Sequence, residues 1–376
     1  MKHKLDFVNS SLKKIRDQNL YRRLQYSNIE GPYITFKRKK LINLCSNDYL
    51  GLTTNQISNK QLQSSSRLIA GNDSSFEIIE EKLARHKSQA SSLIFPTGYM
   101  ANLGTIATLA QKGDVILSDE LNHTSIIEAC RLSGAKITIY RHNDMTDLER
   151  KIRQKANCRF IVTEGVFSMD GDFSNLKEIT RIAIKNDAIF VLDDAHGDFV
   201  MGTDGMGTGK HLGVEKRIDL YVSSLSKGLG AFGGYVASKK EVIEFLINRS
   251  KSFIYTSSLP SFLVDLALKR FISNREKQRK KLWRNIQMMH SGLKSLGYEI
   301  NSSSQIIPII IGNEKTALDF GKYLFENGIF AQPIRYPTVK MNMARVRISI
   351  TAWLSSEHIE KSLEVLESAG RKFRIF

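Results

Sequence analysis

The sequence contains little cysteine and has no long apolar run. Its three cysteines, Cys45, Cys130 and Cys158, are odd in number, widely separated and without the short spacings of a metal site. We therefore predict ordinary reduced side chains and no bound metal. No apolar stretch approaches the roughly 20 residues that a membrane-spanning helix needs. Residues 1–6 lead into a charged helical pattern without an apolar signal segment, so we predict a cytoplasmic protein with no membrane partner.

Acidic residues are also scarce, with 38 aspartates and glutamates against 55 lysines and arginines, which gives a formal net charge of +17. Such a surplus can indicate nucleic-acid binding. The basic residues are spread along the chain, however, and the densest run, Arg275–Arg284, falls in a long helical pattern that is typical of a solvated face. No recognised nucleic-acid motif occurs, so we predict no nucleic-acid partner. The surplus would instead attract an anionic substrate, such as the phosphates of coenzyme A or an acidic carrier protein.

What the chain does have is a repeated alternation of helical patterns with short apolar runs. At 376 residues, with 41% hydrophobic and 25% charged residues, it is long enough for a large core and more than one domain. Short apolar runs separated by helices indicate an α/β protein with a mainly parallel sheet that is covered on both faces. The predicted strands are Ser92–Phe95, Val115–Leu117, Lys136–Tyr140, Phe160–Thr163, Ala188–Leu192 and Asp219–Val222.

The N-terminal part lies outside this alternation. Residues 1 to about 30 are typical of a polar, basic helix followed by an arm. Two short apolar runs, Tyr33–Phe36 and Leu41–Leu44, then predict a hairpin. We assign residues 1–50 to an N-terminal helix and arm, and residues 51–260 to a large domain that contains the sheet.

The pattern changes again after Pro260. One long helix is predicted to run from there to about Leu296, where Gly297 would stop it. Shorter mixed elements follow. We assign residues 261–376 to a smaller C-terminal α+β domain.

The most distinctive stretch is Leu220–Gly234, in which an apolar strand is followed by serines, one lysine and four glycines. A lysine in this setting suits a reactive amine, because glycines let a flat ligand approach the backbone and partial desolvation lowers the pKa of the amine. A basic residue in a glycine-rich surface turn fits the same pattern equally well. Lys227 and the nearby Ser224 are therefore candidates that the rest of the chain must support.

Polar residues also follow the other predicted strands, where the ligands of open α/β sheets bind. Gly98 and Tyr99 open a helix, and their exposed amides would suit a phosphate, although a simple helix cap fits as well. His123 could stack on a planar ring, but a lone loop histidine is more often structural. Ser168 could hydrogen-bond a ligand or belong to an ordinary polar turn. Each of these signals is weak when taken alone.

Asp193 gives the most pointed signal, because an acid at the end of a buried apolar strand costs free energy unless it is paired. A protonated heterocyclic nitrogen would be a natural partner, and His196 follows three residues later. The alternative is an acid–histidine pair that caps a helix. Taken together, a phosphate-binding helix start, an imidazole, a buried carboxylate and a glycine-flanked amine match the needs of pyridoxal phosphate. The sequence therefore predicts this cofactor, with Lys227 as the reactive amine.

The same residues lie in motifs that resemble those of the α-oxoamine synthases, a family of fold-type I pyridoxal-phosphate enzymes. The resemblance covers nearly the whole chain, from about Leu20 to about Leu366. It implies a homodimeric acyltransferase that condenses an amino acid with an acyl thioester and releases carbon dioxide. The most specific motifs are Ser46–Gly51, Glu164–Gly171, Asp193–Gly197 and Ser226–Gly228.

For the cofactor, the resemblance implies a role at each matching position. Lys227 would bind it covalently, Asp193 would pair with the pyridinium nitrogen and His123 would stack on the ring. His196 and Ser168 would contact the side of the ring that carries the oxygen. The catalytic residues implied are Lys227, His123, Asp193 and His196. The residues that would hold the phosphate are Gly98, Tyr99, Ser224 and, towards the neighbouring subunit, Thr256.

For the substrates, the resemblance implies that Arg347 grips the amino-acid carboxylate, since a planar guanidinium binds carboxylates bidentately. Asn47 would lie nearby. Arg22 in the N-terminal arm and Thr338 would also bind substrate. Because Thr256 would reach the phosphate of the neighbouring subunit, the resemblance implies active sites at the interface of a homodimer.

Within the family, the resemblance is strongest to members that join L-alanine to a pimeloyl thioester. It rests on His142–Met145, Asp172 and Ile334–Val339. The main alternative is a member that uses glycine and acetyl-coenzyme A. Ser64–Ser66 replaces a glycine-rich run of the family and could narrow the entrance for the acyl substrate. The sequence leaves open the acyl chain length and the choice between a coenzyme A and a carrier-protein thioester. A pseudoenzyme on the same fold would be expected to lack the lysine, and Lys227 is present.

Overall fold

The computed structural model describes residues 6–21, 27–53 and 64–376 of the chain. The chain divides into two compact units. The first consists of Met1–Ser46, Met169–Gly171 and Lys281–Phe376, and the second of Asn47–Ser168 and Asp172–Lys280. The three-part division at residues 50 and 260 stays a prediction.

Helices and strands alternate through most of the described residues. The helices are α1 (Asp6–Asp17), α2 (Ser74–His86), α3 (Gly98–Leu109), α4 (Thr124–Ser133), α5 (Met145–Lys151), α6 (Leu176–Lys185), α7 (Thr208–His211), α8 (Lys240–Arg249), α9 (Lys251–Ile254), α10 (Ser261–Ile272), α11 (Glu276–Ser295), α12 (Glu314–Glu326) and α13 (Ser356–Phe373). The strands are β1 (Ser27–Glu30), β2 (Tyr33–Phe36), β3 (Lys39–Asn43), β4 (Ser91–Phe95), β5 (Val115–Asp119), β6 (Lys136–Tyr140), β7 (Arg159–Glu164), β8 (Ile189–Asp193), β9 (Leu220–Ser224), β10 (Gly234–Ser238), β11 (Ile306–Gly312), β12 (Ile329–Phe330), β13 (Pro333–Ile334) and β14 (Ala344–Ser349). In the part of the chain that the structure describes, no helix is both long and apolar enough to span a bilayer.

The second unit is built on a sheet to which the described residues contribute seven strands, in the order β4-β10-β9-β8-β7-β5-β6. The five strands from β9 to β6 pair in parallel, whereas β10 runs antiparallel between β4 and β9. Strands β5 and β9 are buried along their whole length, as expected for a sheet that helices cover on both faces. The predicted mainly parallel α/β sheet is confirmed.

Strand β10 was not among the predicted strands. It is short and follows directly after the glycine-rich stretch. Its register places Gly234 opposite Phe95, at the end of β4, and opposite Ser224, at the end of β9. The strand therefore brings the start of α3 and the end of β9 to the same edge of the sheet.

The single long helix predicted after Pro260 is wrong, because the structure has two helices with a break at Ser273. The backbone of Ser273 is extended (φ −69°, ψ 151°). Asn274 Oδ1 then accepts a hydrogen bond from the Glu276 N–H at 3.0 Å, which caps the start of α11. Arg275 Nη1 donates to the carbonyl oxygen of Arg270 at 2.6 Å and so satisfies the end of α10.

The first unit contains two smaller sheets among the described residues. The predicted hairpin is confirmed, since β2 and β3 pair antiparallel with Tyr33 opposite Ile42. Strands β1 and β12 extend it into the order β1-β2-β3-β12, and the other sheet has the order β11-β14-β13. Strand β14 carries Arg347 opposite Pro308 of β11.

Candidate active site

Polar side chains, among them the predicted Asp193 and Ser224, end four parallel strands at one edge of the second unit's sheet. Asp119, Glu164, Asp193 and Ser224 are the last residues of the parallel strands β5, β7, β8 and β9. The carboxyl ends of parallel strands meet at a common edge, which is where open α/β sheets bind their ligands. The register confirms this closeness for two of the acids, since Glu164 lies opposite Asp193.

Lys227 lies at the head of a hydrogen-bonded chain of side chains. Its Nζ is 2.7 Å from Nε2 of His196, and Nδ1 of His196 is 2.7 Å from the hydroxyl of Tyr49. The Tyr49 hydroxyl donates to Oδ1 of Asn47 at 3.1 Å. Because that hydroxyl gives its proton to Asn47, it accepts from His196 Nδ1–H, and His196 Nε2 is left to accept from the lysine amine. Gly228 follows Lys227 because a Cβ there would lie 2.5 Å from the Asp198 carbonyl oxygen.

The carboxylate of Asp193 is buried and held by two N–H donors. Oδ1 accepts from the backbone of Ala195 at 3.0 Å, and Oδ2 accepts from Nδ2 of Asn102 at 2.6 Å. These two hydrogen bonds fix the orientation of the carboxylate. This geometry suits the predicted pairing of Asp193 with a protonated ring nitrogen.

A second carboxyl group, Glu164, lies next to Asp193 and was given no role in the sequence analysis. Burial, together with the charge of Asp193, raises the pKa of Glu164 to about 8, although Lys227 opposes the shift. Glu164 therefore holds a proton near neutral pH and adds no second negative charge beside Asp193. Glu164 carries the same sequence signal as Asp193, because each is an acid at the end of a buried strand.

The start of α3 lies close to Ser224 and Gly234, and together they form a cradle. Thr97 caps the helix by accepting from the Met100 N–H at 3.1 Å. A Cβ at Gly98 would meet Cβ of Ser224 at 3.3 Å, and a Cβ at Gly234 would lie 2.4 Å from the nitrogen of Gly98. Free N–H groups at a helix start, beside a serine hydroxyl, suit an anion. The phosphate of pyridoxal phosphate fits this cradle, and larger side chains at the two glycines would fill it.

His123 caps α4 next to the cradle. Its Nδ1 accepts from the backbone N–H of Ser125 at 3.2 Å, and its ring centroid is 6.4 Å from that of Tyr99. Although His123 is exposed, the neighbouring protein removes enough water to lower the pKa of its imidazole, and Lys227 lowers it further while Asp193 opposes the shift. A neutral imidazole at this edge of the sheet is compatible with the predicted stacking on a ring.

Ser168 lies in the loop that follows β7. Its backbone N–H donates to Oε2 of Glu164 at 3.3 Å, and the residue is buried. The loop is closed by a bridge between Val166 and Phe173. Contact of the Ser168 hydroxyl with a cofactor oxygen stays a prediction.

The remaining predicted residues lie elsewhere or carry less information. Arg347, on β14, and Thr338 belong to the first compact unit. Thr256 lies between α9 and α10 and is half-buried, and its contact with a neighbouring subunit stays a prediction. Arg22 lies outside the described residues. Asn47 belongs to the second unit, where its amide oxygen accepts from Tyr49.

A fully buried ionic network lies directly after Asp193 in the chain, and the sequence analysis missed it. Lys87 Nζ is 2.8 Å from Oδ2 of Asp194 and 2.7 Å from Oδ1 of Asp198. Burial by itself lowers the pKa of Lys87, but the two carboxylates outweigh it and raise the pKa. A Cβ at Gly207 would lie 1.8 Å from Oδ2 of Asp194, so the network needs a glycine there. The two adjacent acids thus have separate roles. The side chain of Asp193 faces the candidate site, and Asp194 fixes the backbone that follows β8.

His142 links two parts of the site. Its Nδ1 is 2.9 Å from Oδ1 of Asp119, its Nε2 is 2.8 Å from Oδ2 of Asp172, and its ring lies edge-on to Phe167 at 4.4 Å between centroids. Burial alone lowers the pKa of His142, but hydrogen bonds and charges from the two aspartates outweigh it and raise the pKa to about 10. The imidazolium therefore ties the end of β5 to the loop that carries Ser168.

Replacing His142 with asparagine is expected to lower the free energy of unfolding by about 1–2 kcal/mol near pH 6, after allowance for partial exposure. The pKa of the folded form lies above its unfolded value of about 6.5, so the contribution is complete below that pH and is lost as pH rises through about 10. Urea unfolding of both proteins at several pH values measures it. His211→Asn, at an exposed position, provides the control for the loss of a histidine, and its cost should be smaller than that of His142→Asn near pH 6. A deficit of His142→Asn that grows between pH 7 and pH 10 would contradict the imidazolium bridge.

Comparison with known proteins gives a consistent result. Residues 39–366 match the aminotransferase class I and II family. The 8-amino-7-oxononanoate synthase of Thermoanaerobacter pseudethanolicus is 41% identical over 390 residues, which covers 99% of each chain. Among solved structures, the serine palmitoyltransferase of S. paucimobilis with a bound PLP–myriocin aldimine gives a TM-score of 0.92 at 27% identity and covers 99% of each chain. The 8-amino-7-oxononanoate synthase of Francisella tularensis gives a TM-score of 0.75 at 27% identity and covers 88% of this chain and 98% of that one.

The sheet, the lysine after β9 and the family match define a fold-type I transferase of the aminotransferase class I and II family. The solved structures do not show which member of the family the chain is most similar to, because a serine palmitoyltransferase and an 8-amino-7-oxononanoate synthase share its fold at the same 27% identity. Sequence identity does, and with 41% identity over nearly its full length the chain belongs to the 8-amino-7-oxononanoate synthase family. The resemblance to the α-oxoamine synthases is confirmed.

Proposed function

We propose that the chain joins L-alanine to a pimeloyl thioester and releases carbon dioxide, giving 8-amino-7-oxononanoate for biotin synthesis and the free thiol of coenzyme A or of a carrier protein. The observation that carries the proposal is the pairing of the Lys227 amine with His196 at 2.7 Å, at the sheet edge that ends in the buried Asp193. Full-length identity of 41% to a synthase of that name supports the choice of substrates.

The cofactor is pyridoxal phosphate, which supplies, when bound, a protonated ring that withdraws electrons from the substrate Cα. Asp193 holds the proton at the ring nitrogen, and its two N–H donors keep the carboxylate in place. The helix start at Gly98 and Tyr99 and the hydroxyl of Ser224 would hold the phosphate. Ser168 and His196 would contact the oxygen side of the ring.

Lys227 moves the proton at the substrate Cα. The Lys227 amine, next to His196 Nε2, can take this proton and later return it, because the imidazole accepts a hydrogen bond and does not compete as a donor. Tyr49 and Asn47 fix the tautomer of His196 that this arrangement requires. His123 donates to the oxygen of the thioester carbonyl as negative charge develops there, a kind of contact that is worth about 3–4 kcal/mol where the donor is well placed.

Arg347 binds the carboxylate of alanine, and Asn47, Arg22 and Thr338 also bind substrate. These assignments rest on the sequence motifs. We also propose a homodimer in which Thr256 reaches the neighbouring subunit's phosphate site. Exposed apolar side chains at Ile69 and Tyr255, 81% and 82% exposed, are of the kind that a partner covers. The surplus of basic residues would attract the phosphates of coenzyme A or an acidic carrier protein.

Product analysis with defined substrate pairs tests the proposal. The cofactor-loaded protein is given L-alanine, glycine or L-serine, each with pimeloyl- or acetyl-coenzyme A, and the products are identified by mass spectrometry. We expect alanine with the pimeloyl thioester to give the highest kcat/KM, by at least about 10-fold over any other pair, and carboxyl-labelled alanine to release labelled carbon dioxide. A higher kcat/KM for glycine with acetyl-coenzyme A would replace the proposal with the alternative condensation.

A further inference from the structure

Two buried side chains connect Asp193 to His123. Asn102, on α3, and Ser125, on α4, are 2% and 1% exposed. Nδ2 of Asn102 is 2.6 Å from Oδ2 of Asp193 and 2.9 Å from Oγ of Ser125. Oγ of Ser125 is in turn 2.8 Å from Nδ1 of His123. The four side chains form one hydrogen-bonded relay.

The direction of each hydrogen bond follows from the chemistry of the groups. The carboxylate of Asp193 only accepts, so the amide of Asn102 must face it with its nitrogen, because the flipped amide would place oxygen against oxygen. The same nitrogen has two hydrogens and no acceptor capacity. It therefore donates to Ser125 as well, and the Ser125 oxygen must accept.

Ser125 then has its own hydroxyl proton left to donate, and Nδ1 of His123 lies in reach. The backbone N–H of Ser125 points at the same nitrogen, at 3.2 Å. A ring nitrogen that faces two donors presents its lone pair and carries no proton. The proton of the neutral His123 imidazole is therefore on Nε2.

We propose that Asn102 and Ser125 are positioning residues: Asn102 orients the carboxylate of Asp193 and, through the hydroxyl of Ser125, fixes His123 in the Nε2–H tautomer. The amide nitrogen of Asn102 thereby orients the carboxylate that would accept from the cofactor ring nitrogen. Through Ser125 it also determines which nitrogen of His123 can donate. Oδ1 of Asn102 is buried without a hydrogen-bond partner among the described residues. Such an atom costs folding free energy, so the side chain is better explained by its two donated hydrogen bonds than by its packing.

The consequence for catalysis rests on the proposed function. A donor to the thioester oxygen needs an N–H on the ring nitrogen that is not engaged by Ser125, and the relay supplies it on Nε2. With the proton on Nδ1 instead, His123 would present a lone pair to the developing negative charge and would repel it. The tautomer itself does not depend on any substrate.

Nuclear magnetic resonance on the cofactor-loaded protein without substrate tests the relay. Labelling with ¹⁵N-histidine and comparison with His123→Gln identify the His123 signals, and the ¹⁵N shifts distinguish a protonated from an unprotonated ring nitrogen. We expect Nδ1 to be unprotonated and Nε2 protonated in the wild type. A proton on Nδ1 would overturn the proposal and leave the proposed reaction standing, since the product analysis is a separate measurement.

Variants then test which residues set the tautomer. Ser125→Ala, which removes one hydroxyl, and Asn102→Leu, which keeps the branching of the side chain but removes both N–H donors, should each raise the Nδ1–H population of His123 to a detectable level and lower kcat by about 10- to 100-fold. Thr105→Val is the matched control, because Thr105 lies three residues along α3, is equally buried and has no hydrogen-bond partner for its hydroxyl among the described residues. If Asn102→Leu does not fold, the tautomer of His123 in Ser125→Ala is the deciding measurement. An unchanged His123 tautomer in the folded variants would show that Asn102 and Ser125 do not set it.

Discussion

Replacing Lys227 with alanine is expected to reduce kcat/KM by at least about 10³-fold, because the variant loses both the covalent attachment of the cofactor and the base that acts at the substrate Cα. Folding should survive, since Lys227 is only partly buried and His196 keeps its contact with Tyr49. Product formation from alanine and the pimeloyl thioester measures the loss. Borohydride reduction provides an independent readout, because it should fix the cofactor to the peptide that contains Lys227 in the wild type and leave that peptide unmodified in the variant.

Lys240→Ala is the matched control for this experiment. Its ammonium group lies on the exposed α8, 3.9 Å from Glu244, where an ion pair contributes little. This variant should keep wild-type activity and the cofactor mass on Lys227. If Lys227→Ala retained turnover and still bound the cofactor covalently, another amine would have to be the attachment site.

The central sheet was predictable because its strands are short apolar runs at regular intervals. Burial on both faces demands such runs, as in Val191 and Leu192 of β8, and no polar alternation competes with them. Strand β10 was missed because Tyr235 and Val236 are its only strand-favouring residues, between Gly234 and the small residues Ala237 and Ser238. The break at Ser273 was missed because basic residues continue the helical pattern across it, while the interruption depends on Asn274 acting as a cap.

Site residues were predictable where the residue type and its immediate neighbours in the sequence already indicate a role. Lys227 among glycines and Asp193 at the end of an apolar strand are local signals, and the fold needed only to bring the strand ends to one edge. The pairings across elements were not predictable in this way. Lys87 reaches Asp194 across 107 positions of the chain, and Asn102 reaches Asp193 across 91. The residue spacing within a helix does not indicate which strand end a side chain of that helix will contact.

Replacing Asp193 with asparagine is expected to lower kcat/KM by about 10²- to 10⁴-fold, which corresponds to the roughly 3–5 kcal/mol that is lost when one partner of a buried charge pair is removed. The neutral amide cannot hold a proton at the ring nitrogen. It also conflicts with its protein neighbours, because Ala195 N–H and Asn102 Nδ2 both donate to the present carboxylate. An asparagine offers one accepting oxygen, so one of these two donors would face an NH₂ group.

Asp187→Asn separates this effect from the general loss of a negative charge. Asp187 is exposed in the turn before β8 and has a positive φ of 47°, a conformation that asparagine tolerates as well as aspartate does, so its activity should stay at the wild-type level. Kinetics of both variants with the same substrates, together with cofactor titration followed by absorbance, measure the difference. Near-normal turnover of Asp193→Asn would mean that the ring nitrogen is not held by this carboxylate. Loss of turnover with folding intact would instead assign the electron-withdrawing state of the cofactor to the acid at the end of β8.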